Sequence, residues 1–415
     1  MNWRETTLGE VCDEVGGIIQ TGPFGSQLHE SDYSQEGIPV VMPKDIIEGR
    51  IATDSVARVS PEHVERLSRH KLRSGDIVYG RRGDIGRQAL IRPEQEGWMC
   101  GTGCLRLGFG ESVLNPLFLH YYLRQDDVVS WITNQAVGAT MPNLNTGILR
   151  TVPVRFPPLP VQRRIAGILS AYDELMENSQ RRIRLLEAMA RALYREWFVH
   201  FRFPGHERTR IVDGLPEGWE RKPLEEIAEF RLGKMLDQEK NRGDLLPYLA
   251  NVNVRWGEFD LRDLREMRFE QDELETFGLK SGDIVMCEGG EPGRCAIWKE
   301  QMPGMMIQKA IHRIRCRGNM GHNYLYHSLR DQGESGHLAA FFTGATIKHL
   351  PREKLAKVTV LVPSELLLKK FGDATISMEE QLETLQRQIQ NLRRTRDLLL
   401  PRLLSGQVEP KTQAA

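Results

Sequence analysis

Two long stretches of this chain space their seam positions alternately four and three residues apart. The later one runs Phe371, Thr375, Met378, Leu382, Leu385, Ile389, Leu392, Arg396, Leu399 and Leu403. The earlier one runs Ile165, Leu169, Tyr172, Met176, Ser179, Ile183, Leu186, Ala190, Leu193 and Trp197. Apart from a few polar positions the seam is apolar, the pattern of a coiled coil. About 38 residues rising ~1.5 Å each give a rod of roughly 55–60 Å. Prolines lead into both stretches, Pro157-Pro158-Leu159-Pro160 in the first and Pro363-Ser364 in the second. That is a usual helix entry. The opposite faces carry Arg181, Arg182, Glu187, Glu379, Glu380, Gln386 and Gln388, so each seam is narrow and wants a helical partner. The other stretch, paired antiparallel, is the partner expected. Packing of each helix on its own domain fits a narrow seam less well.

The remaining sequence is of mixed character. Short β-like runs at 38–42, 77–79 and 151–156 alternate with turns rich in Gly and Pro, and 115–131 reads as a helix. These parts repeat. Trp3, Leu8 and Val11 recur as Trp219, Leu224 and Ile227, an offset of 216. Leu72-Arg-Ser-Gly-Asp-Ile-Val78 recurs as Leu279-Lys-Ser-Gly-Asp-Ile-Val285, an offset of 207. Gly138-Ala-Thr140 recurs as Gly344-Ala-Thr346, and Val152-Pro-Val154 as Val358-Thr-Val360, both at 206. The chain is therefore two copies of one unit, the second shorter by about ten residues near its front. Two units of this length imply a pseudo-dimer within one chain. The expected class is α+β, with two homologous domains joined by two long helices in an antiparallel coiled coil around a pseudo-twofold. The boundaries read as domain 1 at 1–157, helix 158–200, linker 201–215, domain 2 at 216–362, helix 363–405 and tail 406–415.

Charge changes this picture little. The 56 basic and 56 acidic residues cancel, with 24 of each up to Gly205 and 32 of each beyond it. A nucleic-acid footprint must then come from local segregation of charge. The first half holds 22 Arg but only Lys44 and Lys71, a bias toward planar, bidentate contacts. Six cysteines at 12, 100, 104, 287, 295 and 316 form no disulfide framework. Cys100 and Cys104 have no second pair at zinc spacing, so idle thiols are expected and no metal. No run of eighteen apolar residues exists, so no membrane span is expected. The opening Met-Asn-Trp-Arg-Glu-Thr-Thr lacks an apolar signal region, which makes a cytoplasmic location the expectation.

The duplicated layout, the Ser-Gly-Asp-Ile-Val element with its Gly-rich turn, and the Gly-Ala-Thr element ahead of each helix together resemble one family. It is the specificity subunit of type I restriction–modification systems, and the resemblance covers nearly the whole chain. It implies two target-recognition domains, each reading one half of a split, asymmetric site in double-stranded DNA. It also implies helices that set the spacing and dock two methyltransferase subunits, and it admits two restriction–translocase subunits. S-adenosylmethionine, ATP and Mg would belong to those partners, none to this chain.

Candidate DNA contacts follow the loops. Gln20-Thr-Gly-Pro-Phe-Gly-Ser-Gln27 offers Gln20, Thr21, Phe24, Ser26 and Gln27; its counterpart lies around Arg231, Lys234 and Asp237. Gly80-Arg-Arg-Gly-Asp-Ile-Gly-Arg87 gathers Arg81, Arg82 and Arg87 on one turn, where Cys287-Glu-Gly-Gly-Glu-Pro-Gly-Arg294 keeps only Arg294. Three arginines on a turn suit phosphate or guanine, although solvated hairpin charges read the same way. Thr140, Asn143 and Asn145 follow the first Gly-Ala-Thr element, and Thr346 and Lys348 the second. They reach DNA, or the loop packs under the helix. Asn251, Asn253 and Arg255 alternate as on one face of a strand. Lys44 completes the set.

No catalytic constellation stands out. Asn115-Pro-Leu-Phe118 departs from the Asn-Pro-Pro-aromatic element of adenine methyltransferases at Leu117 and opens a helix. Gly22-Pro-Phe-Gly-Ser26 has neither the glycine pattern of a cofactor loop nor, by this reading, a preceding strand. No phosphate loop and no His-Glu-x-x-His occurs; Gly233-Lys234 is followed by Met. A non-catalytic address reader is expected. A two-domain coiled-coil scaffold that binds proteins instead of DNA is the alternative from another class.

Overall fold

The computed structural model describes residues 3–53, 56–83, 85–136, 143–237 and 239–410. The chain divides into two units, Met1–Ser179 with Arg387–Ala415, and Gln180–Gln386. Both divisions fall inside the long helices, Leu159–Tyr194 and Glu365–Leu404. Each unit thus contains an end of each helix.

In the first unit, Arg4–Thr7 pairs antiparallel with Pro153–Phe156. A four-stranded antiparallel sheet runs in the order Ile18–Thr21, Cys104–Gly108, Ile77–Gly80, Gln88–Leu90. A second sheet joins Ile38–Val41 to Met99–Cys100 in parallel and to Arg58–Val59 antiparallel. The second unit repeats this plan. Glu220–Pro223 pairs with Thr359–Val362, and the central order is Ala228–Leu232, Ile311–Cys316, Ile284–Cys287, Cys295–Ile297. The fold is mixed α+β in two homologous copies. The shortening of the second copy is visible as structure. The helix Leu8–Glu14 has seven residues where Leu224–Ile227 has four.

Gly22 and Gly233 mark the same tight crossing in the two copies. A Cβ on Gly22 would sit 2.1 Å from the Gly101 carbonyl oxygen, and one on Gly233 2.4 Å from that of Gln308. Glycine is required there for backbone approach. The strand Ile18–Thr21 directly precedes Gly22, contrary to the expectation of none. Gln20 and Thr21 lie on that strand and not in the loop. Asn115 is likewise explained: its side chain caps the helix Pro116–Tyr122 by accepting the Phe118 N–H at 2.9 Å.

The helix read at 115–131 is two helices, Pro116–Tyr122 and Asp126–Gln135. Gln125 is extended, and Asp126 and Asp127 favour a fresh N-terminus there. The second copy has one helix, His322–Glu334.

The helix ends pair antiparallel within each unit. In the first, Ile165, Ala166 and Leu169 share a core with Leu403 and Leu404, and Arg396 pairs with Asp173. In the second, the Tyr194 and Trp197 rings pack against Phe371. No seam position is fully exposed. The helices also pack on the globular domains, so the two packing modes set against each other coexist. Leu8, Phe118 and Phe156 belong to the same core as Ile165, and Leu224 and Tyr324 to the same core as Phe371. The apolar stripe broadens at the helix ends, where Ala166, Leu367 and Leu368 beside the seam are buried too.

Five of the six cysteines are buried, and all are free thiols. No helix among the described residues is long and apolar enough to cross a membrane.

Candidate nucleic-acid interface

One junction recurs in both units. The turn after the Ser-Gly-Asp-Ile-Val strand is stitched to the segment after the Gly-Ala-Thr element. In the first unit the Leu144 N–H donates to the Arg81 carbonyl at 2.9 Å, and Arg82 bridges Asn143. In the second the Leu350 N–H donates to the Glu288 carbonyl at 2.8 Å, and Gly289 bridges His349. The backbone contact is conserved between copies while the side chains around it differ.

In the first unit Arg81 Nε donates to Asn143 Oδ1 at 3.0 Å and to the Leu144 carbonyl at 3.1 Å. These two candidates hold each other. Arg82 is exposed and makes no ion pair with a described residue; Arg87 is exposed at the end of the same turn. Lys44 is exposed on the turn Pro43–Asp45. Asn145 caps the helix Thr146–Thr151 by accepting the Ile148 N–H at 2.9 Å, so its carbonyl oxygen is committed to the fold. Gln20 Nε2 donates to the Arg69 carbonyl at 2.6 Å, and Gln27 Oε1 accepts the Phe24 N–H at 3.1 Å. Phe24 and Ser26 remain exposed, and Thr21 is half-buried. Beside Thr21, burial pushes His70 down to about 4 and keeps it neutral. Thr140 lies outside the described residues.

The second unit departs further from the expectation. Asn251 and Asn253 sit on a turn of 3₁₀ helix, Asn251–Asn253, and not on a strand. Asn253 is buried: its Oδ1 accepts the Ala250 N–H at 3.0 Å and its Nδ2 donates to the Asp260 carbonyl at 3.0 Å. It fastens a loop and presents nothing to a partner. Alternation of Asn with apolar residues misled because an Asn side chain closes its own turn as readily as it lines a strand. Asn251 Nδ2 donates to the Gly289 carbonyl at 3.3 Å, and Arg294 Nη2 to the Asn251 carbonyl at 2.9 Å. Arg255 lies 3.9 Å from Asp260, whose carboxyl the Arg262 guanidinium holds down at about 2. Lys234 is half-buried, donating to the Arg268 carbonyl at 3.0 Å and pairing with Glu273 over the Phe269 ring.

Thr346 and Lys348 are the exposed candidates here. They stand on a tight hairpin closed by reciprocal Thr343–His349 backbone hydrogen bonds of 2.8 and 2.9 Å. Gly344, at φ +92°, makes the turn possible; a Cβ there would meet the Ile347 carbonyl oxygen at 2.1 Å. Beneath it the buried His312 donates from Nε2 to the Leu350 carbonyl at 2.8 Å. Burial lowers its pKa and keeps it neutral. Two apolar side chains on these loops were missed. Ile347 is 64% exposed, and Val252 is 61% exposed at the position equivalent to Lys44. Alignment of the copies could have drawn attention to Val252, since it replaces a candidate contact.

A duplicated α+β chain with paired helix ends and one loop junction repeated with different side chains defines a class: proteins of two homologous domains that present equivalent loops with unlike side chains. Residues 1–188 match the family model described as the type I restriction modification DNA specificity domain. The chain is 23% identical to the type I restriction enzyme MjaIX specificity subunit of Methanocaldococcus jannaschii, over 98% of this chain and 96% of that protein. It is 18% identical to the HindI specificity subunit of Haemophilus influenzae, over 98% of this chain and all of that one. The crystal structure of a type I restriction–modification S subunit from M. genitalium shares the fold. Its TM-score is 0.57 at 17% identity, over 100% of this chain and 97% of that one. Residues 1–188 thus match that DNA specificity domain, and nearly the whole chain is similar to type I restriction enzyme specificity subunits.

Proposed function

We propose that this chain reads a bipartite, asymmetric site in double-stranded DNA, one half by each target-recognition domain, 1–157 and 216–362. The helices, 158–200 and 363–405, set the gap between the halves and dock two methyltransferase subunits in the cytoplasm. The chain itself is non-catalytic; the methyl donor, ATP and Mg belong to its partners. The observation that carries this reading is the repeated loop junction. A constant backbone with different side chains is what two readers of different half-sites require, because phosphate contacts position and base contacts specify.

The test is the methylome of a host producing this chain with its modification subunit. Modified adenines in a split site, absent when the chain is deleted, are expected. An unchanged methylome favours the protein-binding scaffold.

The geometry also sorts the candidates. Lys44, Arg82 and Lys348 are exposed and make no ion pair with a described residue, so they suit phosphates. K44A, R82A and K348A should each flatten the slope of log affinity against log salt by about one, with little change of sequence preference. Duplex binding by fluorescence anisotropy from 50 to 200 mM salt (about the range where such losses are large) checks this. Slopes equal to wild type would remove these residues from the interface.

A further inference from the structure

The two units differ at one buried cluster beside the helices. In the first, Asp173 receives Arg396 Nη1 at 2.5 Å and the Tyr121 hydroxyl at 2.7 Å, with Arg124 Nη1 at 4.0 Å. Adding the repeat offset of 206 gives Glu379 for Asp173, His327 for Tyr121 and Arg330 for Arg124. Subtracting it from Arg396 gives Ala190. The second unit therefore keeps the carboxylate, the ring and one arginine, and lacks the second arginine.

A cavity of about 60 Å³ takes its place, lined among others by Ala190, Glu187, Asn323, His327, Glu379 and Lys299. At about 15 Å³ per water-sized sphere it holds several. Arg330 lines it too, yet two buried polar atoms on its walls have no partner. His327 is 8% exposed and its Nδ1 has no hydrogen-bond partner; Asn323 Oδ1 is buried without one. Burial pushes His327 down to about 3, so the ring is neutral and one nitrogen is an acceptor. Burial also pushes the Glu379 carboxyl up. Asn323, Thr375 and the nearby charge of Lys299 offset part of that push, but Glu379 forms no ion pair with a described residue: Lys299 pairs with Glu383 at 3.1 Å, and Arg330 with Glu334 at 2.8 Å and Glu187 at 3.9 Å.

We propose that this cavity binds a guanidinium group from outside the chain, seated on Glu379 where Arg396 sits on Asp173 in the other unit. A guanidinium brings planar N–H donors to a carboxylate and two unfilled acceptors. The source is a free organic cation or an arginine side chain of a partner protein.

Titration calorimetry of methylguanidinium chloride into the full-length chain, at constant ionic strength, tests the first step. Saturable uptake at one site per chain is expected. A190R supplies the missing group and abolishes uptake. E379Q weakens it by about tenfold or more, as when a charge-assisted hydrogen bond becomes neutral. Tetramethylammonium, which has no donors, does not bind. E379Q leaves the cavity wall in place, so the test survives if A190R does not fold. Repeating the titration on the chain assembled with modification subunits separates the sources. Loss of uptake on assembly, with A190R weakening assembly, identifies a partner's arginine. Persistent uptake identifies a free cation. Wild type indistinguishable from E379Q in the free chain overturns the proposal, whatever the outcome for DNA reading.

Discussion

R106M destabilises the first unit by about 3–5 kcal/mol, the cost of removing one partner from a buried ion pair. Arg106 is 4% exposed and Asp76 5%. Arg106 Nε donates to Asp76 Oδ2 at 2.6 Å, and Nη1 donates to the Arg69 carbonyl at 3.2 Å. Asp76 also accepts the Arg73 N–H at 2.8 Å, which orients the turn of the Ser-Gly-Asp-Ile-Val element. Burial already pushes the Asp76 carboxyl up against the pull of Arg106. Without the guanidinium, Asp76 must stay charged in an apolar setting or take up a proton, and either outcome costs stability. Methionine fills the stem's volume, so the loss reports the charge and not a hole.

The second unit solves the same problem differently and should respond less. There Arg315 binds both oxygens of Asp283 at 2.7 Å, while Arg313 donates to the carbonyls of Glu275, Thr276 and Gly278. The two tasks of Arg106 are divided between two arginines. The Arg315 side chain is 29% exposed, so water can compensate part of its removal. Urea unfolding with hydrogen exchange resolved by unit compares R106M with R315M. The double variant D76N/R106M should recover part of the loss, since replacing a whole buried pair costs less than breaking it. A loss below about 1 kcal/mol for R106M, the range of an exposed pair, would contradict the argument.

Asp76 and Arg106 also show how far the sequence was legible. The repeat was plain, because each copy must bury the same framework: Trp3 and Trp219, Leu8 and Leu224, and the Ser-Gly-Asp-Ile-Val strands align by identity. The helix seams were plain for the same reason, since periodic burial leaves a periodic record. Candidate site residues were less legible. Their side chains serve the fold or a partner depending on contacts far away in sequence. Asn143 and Arg81 are brought together across 62 positions. Asn145 and Asn253 spend their side chains on the fold, as a helix cap and a loop fastener. Lys234 was claimed by Glu273. Polar residue type alone carries no sign of which neighbour will satisfy it. The cavity at Ala190 was invisible for a related reason. A missing arginine is recognised only when the other copy displays the one that is present.

Removing one heptad from each long helix, at facing positions, shortens the preferred gap between half-sites by about 3 base pairs on the reading proposed above. Seven residues at ~1.5 Å each remove about 10 Å of helix, and DNA rises about 3.4 Å per base step. A whole heptad keeps the seam nearly in phase, whereas removing four or three residues would interrupt it. Both half-site sequences should stay unchanged, because no recognition loop is altered. Affinity should nevertheless fall. Losing about 3 of the 10–10.5 base pairs in a helical turn rotates one half-site by roughly 100° around the duplex. The helix deletion rotates its reader by only about 20°. The difference must be absorbed by twisting or bending the DNA, at a cost that depends on the bases in the gap. The shortened protein should therefore prefer gaps with flexible pyrimidine–purine steps, a preference the parent does not need. Methylome mapping of the parent and the deletion in one host reads all three quantities together. Unchanged half-sites with an unchanged gap would show that the helices do not set the spacing.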